Sequence, residues 1–363
     1  MSINFLHAAD FHLDSPFAGL PEEQAVFRRR ESRELLDRLA DYVNSNDIQL
    51  VLLAGDLFDG AAAYRETVER LPGVLGGMRS RVFIAPGNHD PYTLRSPYAT
   101  MDWPENVHIF RTRQIERVVL PELSCAVYGA AFTDASQEPG LLAGFSAPDD
   151  GLTHLMVLHG DLDAPSSRYG PVLREQIAAS NLDYLALGHV HSFGGVQRAG
   201  RTVYAYAGCP EGRGFDETGD KGFLRGTIDR NEVDITYVPF AARRYWSLRA
   251  DVTGRTPEEV LLAAMPETAA SDLCRVTFVG ETDEGGVNIK LLQERFAEKF
   301  YALSLRDETH IRQDIWARAD EDSLRGLFLR ELREKYDAAG DEERKKLELA
   351  ARFGLAALDH RDI

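Results

Sequence analysis

Five short apolar runs in this chain stop at a turn and at once present Asp, Asn or His, and this pattern limits the folds open to it. Residues 3–9 (INFLHAA) run into Asp10-Phe11-His12, and residues 50–54 (LVLLA) into Gly55-Asp56-Leu57-Phe58-Asp59. Residues 82–85 (VFIA) lead through Pro86-Gly87 to Asn88-His89-Asp90. Residues 154–158 (HLMVL) end in His159-Gly160-Asp161, and residues 184–187 (YLAL) in Gly188-His189-Val190-His191. Runs this short and continuous, with a further one at 125–130, suit strands covered on both faces. Helical patterns lie between them, most clearly from Phe27 to Val43. There Phe27, Leu35, Leu36, Leu39, Tyr42 and Val43 lie near one face, and Arg28, Arg29, Arg30 and Arg33 fall mostly elsewhere. Strand–helix alternation predicts a layered α/β domain.

The polar residues stand at the C-terminal ends of the runs, the edge where open α/β sheets place their ligands. Asp10 and His12, two apart on an extended segment, point the same way roughly 7 Å from each other. Gly precedes the polar residue at Gly55, Gly87 and Gly188, where it lets the backbone turn sharply and bring side chains close to a centre. Five of the ten histidines fall in these junctions, which unrelated polar loops would not explain. The resulting set is Asp10, His12, Asp56, Asn88, His159, His189 and His191. It is too large for one zinc and includes no thiolate. Two divalent ions about 3.5–4 Å apart, sharing a carboxylate, use such a set well. Mixed imidazole, carboxylate and amide donors suit Mn²⁺ or Fe better than Mg²⁺. With few carboxylates to neutralise them, two cations keep net positive charge and attract an anion such as phosphate.

That local charge matters because the chain as a whole is acidic. Its formal charge of −17 argues against a broad basic groove of the kind nucleic-acid binders show, but bound cations reverse the field at one site. Cys125, Cys209 and Cys274 are far apart and show no metal-binding or disulfide spacing. The opening MSINFLHAADFHL lacks a basic region before its apolar run, and no apolar stretch approaches the roughly 18 residues of a membrane span. A cytoplasmic protein with no membrane segment is expected.

From Arg201 the pattern changes to strands and turns: RTVYAYAG, a Gly-rich loop GCPEGRGFDETGDKG, then FLRGTID and VDITYVPF, read as antiparallel hairpins closing the sheet. A boundary near Pro239–Arg244 gives a catalytic domain over 1–240. Residues 241–312 form a small α+β domain, with one helix opened by Thr256 as N-cap and Pro257 at the first helical position. Residues 313–363 form a C-terminal segment carrying two charged helices from Ser323 to Asp359 around Ala338-Ala339-Gly340.

The ordered series DxH, GDxxD, GNHD, HG and GHxH resembles that of the calcineurin-like metallophosphoesterases, over roughly residues 1–240. The resemblance implies a sandwich of two central sheets flanked by helices. By motif position it gives Asp10, His12, Asp56 and His191 to one metal, and Asp56, Asn88, His159 and His189 to the other, with Asp56 bridging. It implies that His89 is not a ligand but faces the scissile phosphate, stabilising charge or protonating the leaving oxygen. Asp59 would orient His89, and a metal-activated water would attack in line with the leaving group. An ordinary turn or capping role is the alternative for Asp59 and the favoured reading for Asp90.

Fold and metals do not select a substrate. Protein phosphatases of this class follow GDxxD with Arg-Gly, whereas Asp59 is followed here by Gly60-Ala61. The opening HAADFHLDSPFAGL and the Gly-rich loop resemble the SbcD-type DNA repair exonucleases, most closely their YhaO-like branch, which carry a capping domain after the catalytic one. This implies a manganese-dependent nuclease acting on DNA, paired with an SbcC-like coiled-coil ATPase and able to form a homodimer. Leu324, Leu327, Phe328, Leu332 and Tyr336 form an apolar stripe that would dock the ATPase or pack on the chain's own catalytic domain. Candidate DNA contacts are Arg28-Arg29-Arg30, Arg111 with Arg113, Arg243-Arg244 and Arg344-Lys345-Lys346, with Arg213 and Lys221 on the Gly-rich loop slightly better placed. A small-nucleotide phosphodiesterase or phosphatase, and a non-catalytic partner of the ATPase, are the competing readings.

Overall fold

The structure, a computed structural model, describes residues 2–60, 63–229, 232–282, 286–311 and 315–358. The expected boundary between residues 312 and 313 lies outside the described residues, as do Ala61 and Asp359. The elements follow in the order β1 (Ile3–Ala8), α1 (Glu22–Ser45), β2 (Leu50–Leu53), α2 (Arg65–Gly76), β3 (Arg81–Ile84), α3 (Pro97–Thr100), β4 (Val107–Ile109), β5 (Glu116–Leu120) and β6 (Cys125–Gly129). Next come β7 (Thr153–His159), α4 (Arg174–Ala179), β8 (Tyr184–Gly188), β9 (Gln197–Ala199), β10 (Thr202–Tyr206), β11 (Gly222–Asp229) and β12 (Glu232–Pro239).

Two six-stranded sheets result, ordered β12-β11-β1-β2-β3-β4 and β5-β6-β7-β8-β10-β9. Strands β1 to β4 of the first sheet are parallel to one another, as are β6, β7, β8 and β10 of the second. Strand alternation divides their side chains between two faces. Ile3, Phe5, Leu50, Leu52 and Phe83 of the first sheet meet Cys125, Val127, Leu155, Val157, Tyr184 and Ala186 of the second in one buried layer. Leu6, Ala8, Val51 and Leu53 point the other way, under Leu35, Leu36 and Leu39 of α1 and Leu71 and Leu75 of α2. Both faces of the strands are covered, which is why the sequence shows continuous apolar runs rather than alternation.

Two readings of the sequence need correction. RTVYAYAG does form an antiparallel hairpin, with β9, but its other edge joins the second sheet parallel to β8, with Val203 opposite Tyr184, so it lies in a different sheet from β11 and β12. β11 and β12 close the first sheet antiparallel as expected, β11 on β1 and β12 on β11. The second concerns α1, which starts at Glu22 and buries Arg28 on the same stripe as Ala25, Ser32, Leu35, Leu36 and Leu39. Its guanidinium is fully enclosed and bonds Glu31 and the buried Glu211, each at 2.5 Å. Burial opposes the charge, but Glu211 keeps Arg28 protonated. Helical spacing marked the stripe, and the charge of Arg28 concealed its place on it.

The chain divides into two compact units, residues 1–247, 268–275 and 299–302, and residues 248–267, 276–298 and 303–363. In the second unit, α5 (Pro257–Ala264) opens as expected, with Thr256 accepting from the Glu259 N–H and Glu259 reaching back to the Thr256 N–H. After α6 (Ile289–Phe296), the helices α7 (Leu324–Ala338) and α8 (Asp341–Leu358) pack together through Phe328 and Leu332 against Ala351 and Leu355. Phe328, Leu332 and Tyr336 of the apolar stripe are therefore used between these helices, while Leu324 and Leu327 are 70% and 51% exposed. No helix among the described residues is long and apolar enough to cross a membrane.

Candidate metal centre

The strand-end residues converge. Asp10, His12 and His191 offer ligand atoms within 4.8 Å of one another, as do Asp10, Asp56 and His159, and His12, Asp56 and His89. Asp56 stands between the two histidines that carry the pattern into separate sheets, with Oδ2 3.6 Å from His12 Nε2 and 3.5 Å from His159 Nε2. Asn88 Oδ1 lies 2.9 Å from His159 Nε2 and 3.2 Å from His189 Nδ1. All seven residues read from the sequence as a ligand set thus share one site.

Local backbone geometry brings them there. Asp10, His12, Asp56 and His189 have φ of 56°, 44°, 51° and 114°, a region that L side chains rarely adopt. Such strain persists where surrounding hydrogen bonds over-determine it. Here Asp10 N–H donates to Gly55 O, His12 N–H to Asp56 O, and His189 N–H to the Asp10 carboxylate. Two of the glycines are required by close approach. A Cβ on Gly87 would lie 2.2 Å from Asp56 Oδ1, and one on Gly188 1.7 Å from Ala54 O.

Acceptor oxygens favour a proton on Nδ1 of three of these rings, with a terminal nitrogen of Arg213 also 3.0 Å from His191 Nδ1. Carboxylate and carbonyl oxygens only accept, so His12 Nδ1 donates to Asp59 (2.9 Å), His191 Nδ1 to Glu217 (2.7 Å) and His159 Nδ1 to Ala54 O (2.9 Å). The Nε2 lone pairs of His12 and His191 then face each other at 3.2 Å. His159 Nε2 faces oxygens of Asn88 and Asp56, a contact that a proton on Nε2 or a metal cation would satisfy. Opposed lone pairs in a buried site repel unless a cation lies among them, so the donor set fits divalent metal ions.

Electrostatics agree. Burial lowers His12 and His189 to about 4, keeping them as neutral imidazoles. Burial resists ionising Asp56, but His159 and His12 outweigh it and hold its carboxyl below the ordinary range. Burial also resists charging His159, yet Asp56 and Asp10 raise its proton affinity, and the same pair would hold a metal cation. Burial pushes Asp10 up to about 6.

His89 is the outlying member: its side chain is 48% exposed and its backbone N–H donates to Asp56 Oδ1 at 2.9 Å. The expected role of Asp59 in orienting it is corrected by the geometry. Asp59 Oδ1 is 4.0 Å from His89 Nδ1, beyond a hydrogen bond, and makes its bond to His12 instead. Asp90 has the structural role favoured from sequence, accepting from the N–H groups of Asp56, Phe58 and Gly87 and from the Tyr98 hydroxyl. Lys221 is buried on His191 O and cannot reach a substrate. Arg213 is engaged by Glu217 and Asp59.

Two neighbours escaped the sequence reading. Glu217 lies in the Gly-rich loop, where only the cations drew notice. Tyr169 lies in a stretch without strand or helix pattern, and its ring sits 5.3 Å from that of His189 with Arg168 over its face.

The calcineurin-like phosphoesterase family profile matches residues 3–193, which span every motif described above, and the chain belongs to that family. It is 28% identical to the metallophosphoesterase YhaO of Bacillus subtilis over 337 residues, 85% of this chain and 82% of that protein. It is 25% identical to the SbcD component of the SbcCD nuclease of Rhodobacter capsulatus over 222 residues, 54% of this chain and 50% of that one. A dimetal phosphatase from Danio rerio overlays 65% of this chain and 99% of its own at 13% identity and a TM-score of 0.38.

Proposed function

We propose that the protein is a dinuclear metal-dependent phosphodiesterase that cleaves DNA. The observation that carries this reading is the pairing of a complete, mostly buried donor set with His89, a half-exposed imidazole the metal set does not require. Asp10, His12, Asp56 and His191 would hold one ion, and Asp56, Asn88, His159 and His189 the other, with Mn²⁺ the favoured metal and Fe the alternative. When bound, the pair would polarise a phosphoryl oxygen and lower the pKa of a water molecule. His89, held through its backbone N–H to Asp56 with its ring half exposed, would give a proton to the departing oxygen. Gly60 follows Asp59 where protein phosphatases of this class carry a phosphate-clamping arginine, which favours a diester over a phosphorylated side chain.

The SbcCD relative supports DNA as the substrate, and Arg111, Arg113 and Arg168 are available to phosphates, unlike Arg28. An SbcC-like ATPase and a second copy of the chain are proposed partners; exposed Leu324 and Leu327 on α7, with Phe353 on α8, offer an apolar surface for the ATPase. The −17 charge favours a second reading, a phosphodiesterase for small nucleotides.

The test is to incubate metal-free protein with Mn²⁺ and end-labelled duplex DNA, with bis-p-nitrophenyl phosphate in parallel and Asp56→Asn as control. Shortening of the DNA by wild type alone supports a nuclease. Turnover of the small diester without DNA cleavage, insensitive to salt, supports the second reading, since a polymer loses affinity steeply as salt rises.

A further inference from the structure

The carboxylates that hold His12 and His191 are themselves tied together. Arg213 lies between them, with one terminal nitrogen 3.4 Å from Asp59 Oδ1 and the other 2.7 Å from Glu217 Oε1. The backbone N–H of Arg213 also donates to Glu217 Oε2 at 2.8 Å, so the loop backbone and the guanidinium grip the same carboxylate. The contacts run from His12 Nδ1 through Asp59, Arg213 and Glu217 to His191 Nδ1, closing a ring around the opposed Nε2 pair. Glu217 is 7% exposed and Arg213 18%, so neither is a freely solvated surface charge. The ligands assigned to the other ion are held differently: His159 donates to the β2 end at Ala54 O, and Asn88 follows Gly87 packed on Asp56.

We infer that Arg213 and Glu217 are positioning residues for one metal site alone, the one built from Asp10, His12 and His191. This rests on the dinuclear reading above. Arg213 joins the loop after β2 to the Gly-rich loop and so sets the separation of two imidazoles from different parts of the chain. Its role is geometric, because its charge works the other way. A cation beside a metal site repels the metal, so a residue acting only by charge would weaken binding, and its removal would tighten it.

The sign of the effect decides the question. Mn²⁺ is titrated calorimetrically into the metal-free full-length chain as wild type, Arg213→Gln, Arg213→Lys and Glu217→Gln, with thermal melting of each metal-free form as a folding control. Wild type should take up two ions. In Glu217→Gln and Arg213→Gln one of the two should weaken by about 10–100-fold, the range for lost orienting partners of metal ligands, while the other keeps its affinity. Arg213→Lys retains charge without the two-pronged geometry and should weaken the same ion. Tighter binding in Arg213→Gln, equal weakening of both ions, or no change in any variant overturns the inference. If Arg213→Gln does not fold, the near-isosteric Glu217→Gln carries the same test. Failure of wild type to bind Mn²⁺ at all would instead remove the dinuclear reading, and this inference with it.

Discussion

His12 and His191 present their unprotonated Nε2 atoms to each other at 3.2 Å, with both Nδ1 protons committed to carboxylates. Neither ring can relieve the contact by shifting its proton without losing Asp59 or Glu217. A divalent cation that binds the folded form should therefore raise stability by mass action, about 2.7 kcal/mol at a free concentration 100 times Kd. Melting in chelator and in excess Mn²⁺ checks this: wild type should gain several degrees, and Asp56→Asn, which removes charge shared by both sites, should gain much less. Equal gains would show that the ion stabilises from elsewhere.

His89 is held by its backbone to Asp56 while its ring stays half exposed. His89→Ala should therefore keep both metal affinities and lose turnover of bis-p-nitrophenyl phosphate by about 10²–10⁴-fold, the usual contribution of a positioned acid or base. Calorimetry with Mn²⁺ and steady-state rates on the same preparation separate the two effects. Unchanged turnover would exclude His89 from the proton transfer.

Asp90 joins the loops after β2 and β3 to α3 by accepting from Asp56, Phe58, Gly87 and Tyr98 while fully buried. Tyr98→Phe removes the 2.5 Å hydroxyl contact and leaves the carboxylate one donor short, a loss of about 1–3 kcal/mol. Denaturant unfolding of metal-free protein measures it; a variant as stable as wild type would mean that water replaces the phenol.

The strand-end chemistry was legible because it is local: each ligand follows its own apolar run, so Asp10, His12, Asp56, Asn88, His159, His189 and His191 could be read one junction at a time. What failed was pairing across distance. Whether Asp59 bonds His12 or His89 depends on loops about 30 or more residues apart, and β10 could not be assigned to a sheet because a short apolar run does not state its neighbour. Arg28 and Lys221 were read by charge as surface groups, but their partners Glu211 and the His191 carbonyl lie far along the chain. Tyr169 gave no signal, since a loop aromatic acquires its place only when β7 and β8 bring His189 beside it.

His7 gives the fold a pH dependence of its own. Inside β1 it is completely buried, with Nε2 donating to Leu187 O at 3.1 Å and Nδ1 2.9 Å from the Tyr184 hydroxyl. Burial, only partly offset by the Leu187 carbonyl, lowers it to about 3 from an ordinary 6.5. Between those values the unfolded chain takes up a proton at this residue and the folded chain does not. Stability from His7 is thus complete above pH 6.5 and falls as pH drops, by about 1.4 kcal/mol per unit at most. Asp10 and Asp90, raised by burial, have the opposite slope over the same range, so the total curve alone does not isolate His7. The difference between wild type and His7→Gln does. Urea unfolding in chelator from about pH 7 to about 4.5 should show the variant less stable at neutral pH, with the gap closing as the solution is acidified. Parallel curves would mean that His7 is protonated in the folded core.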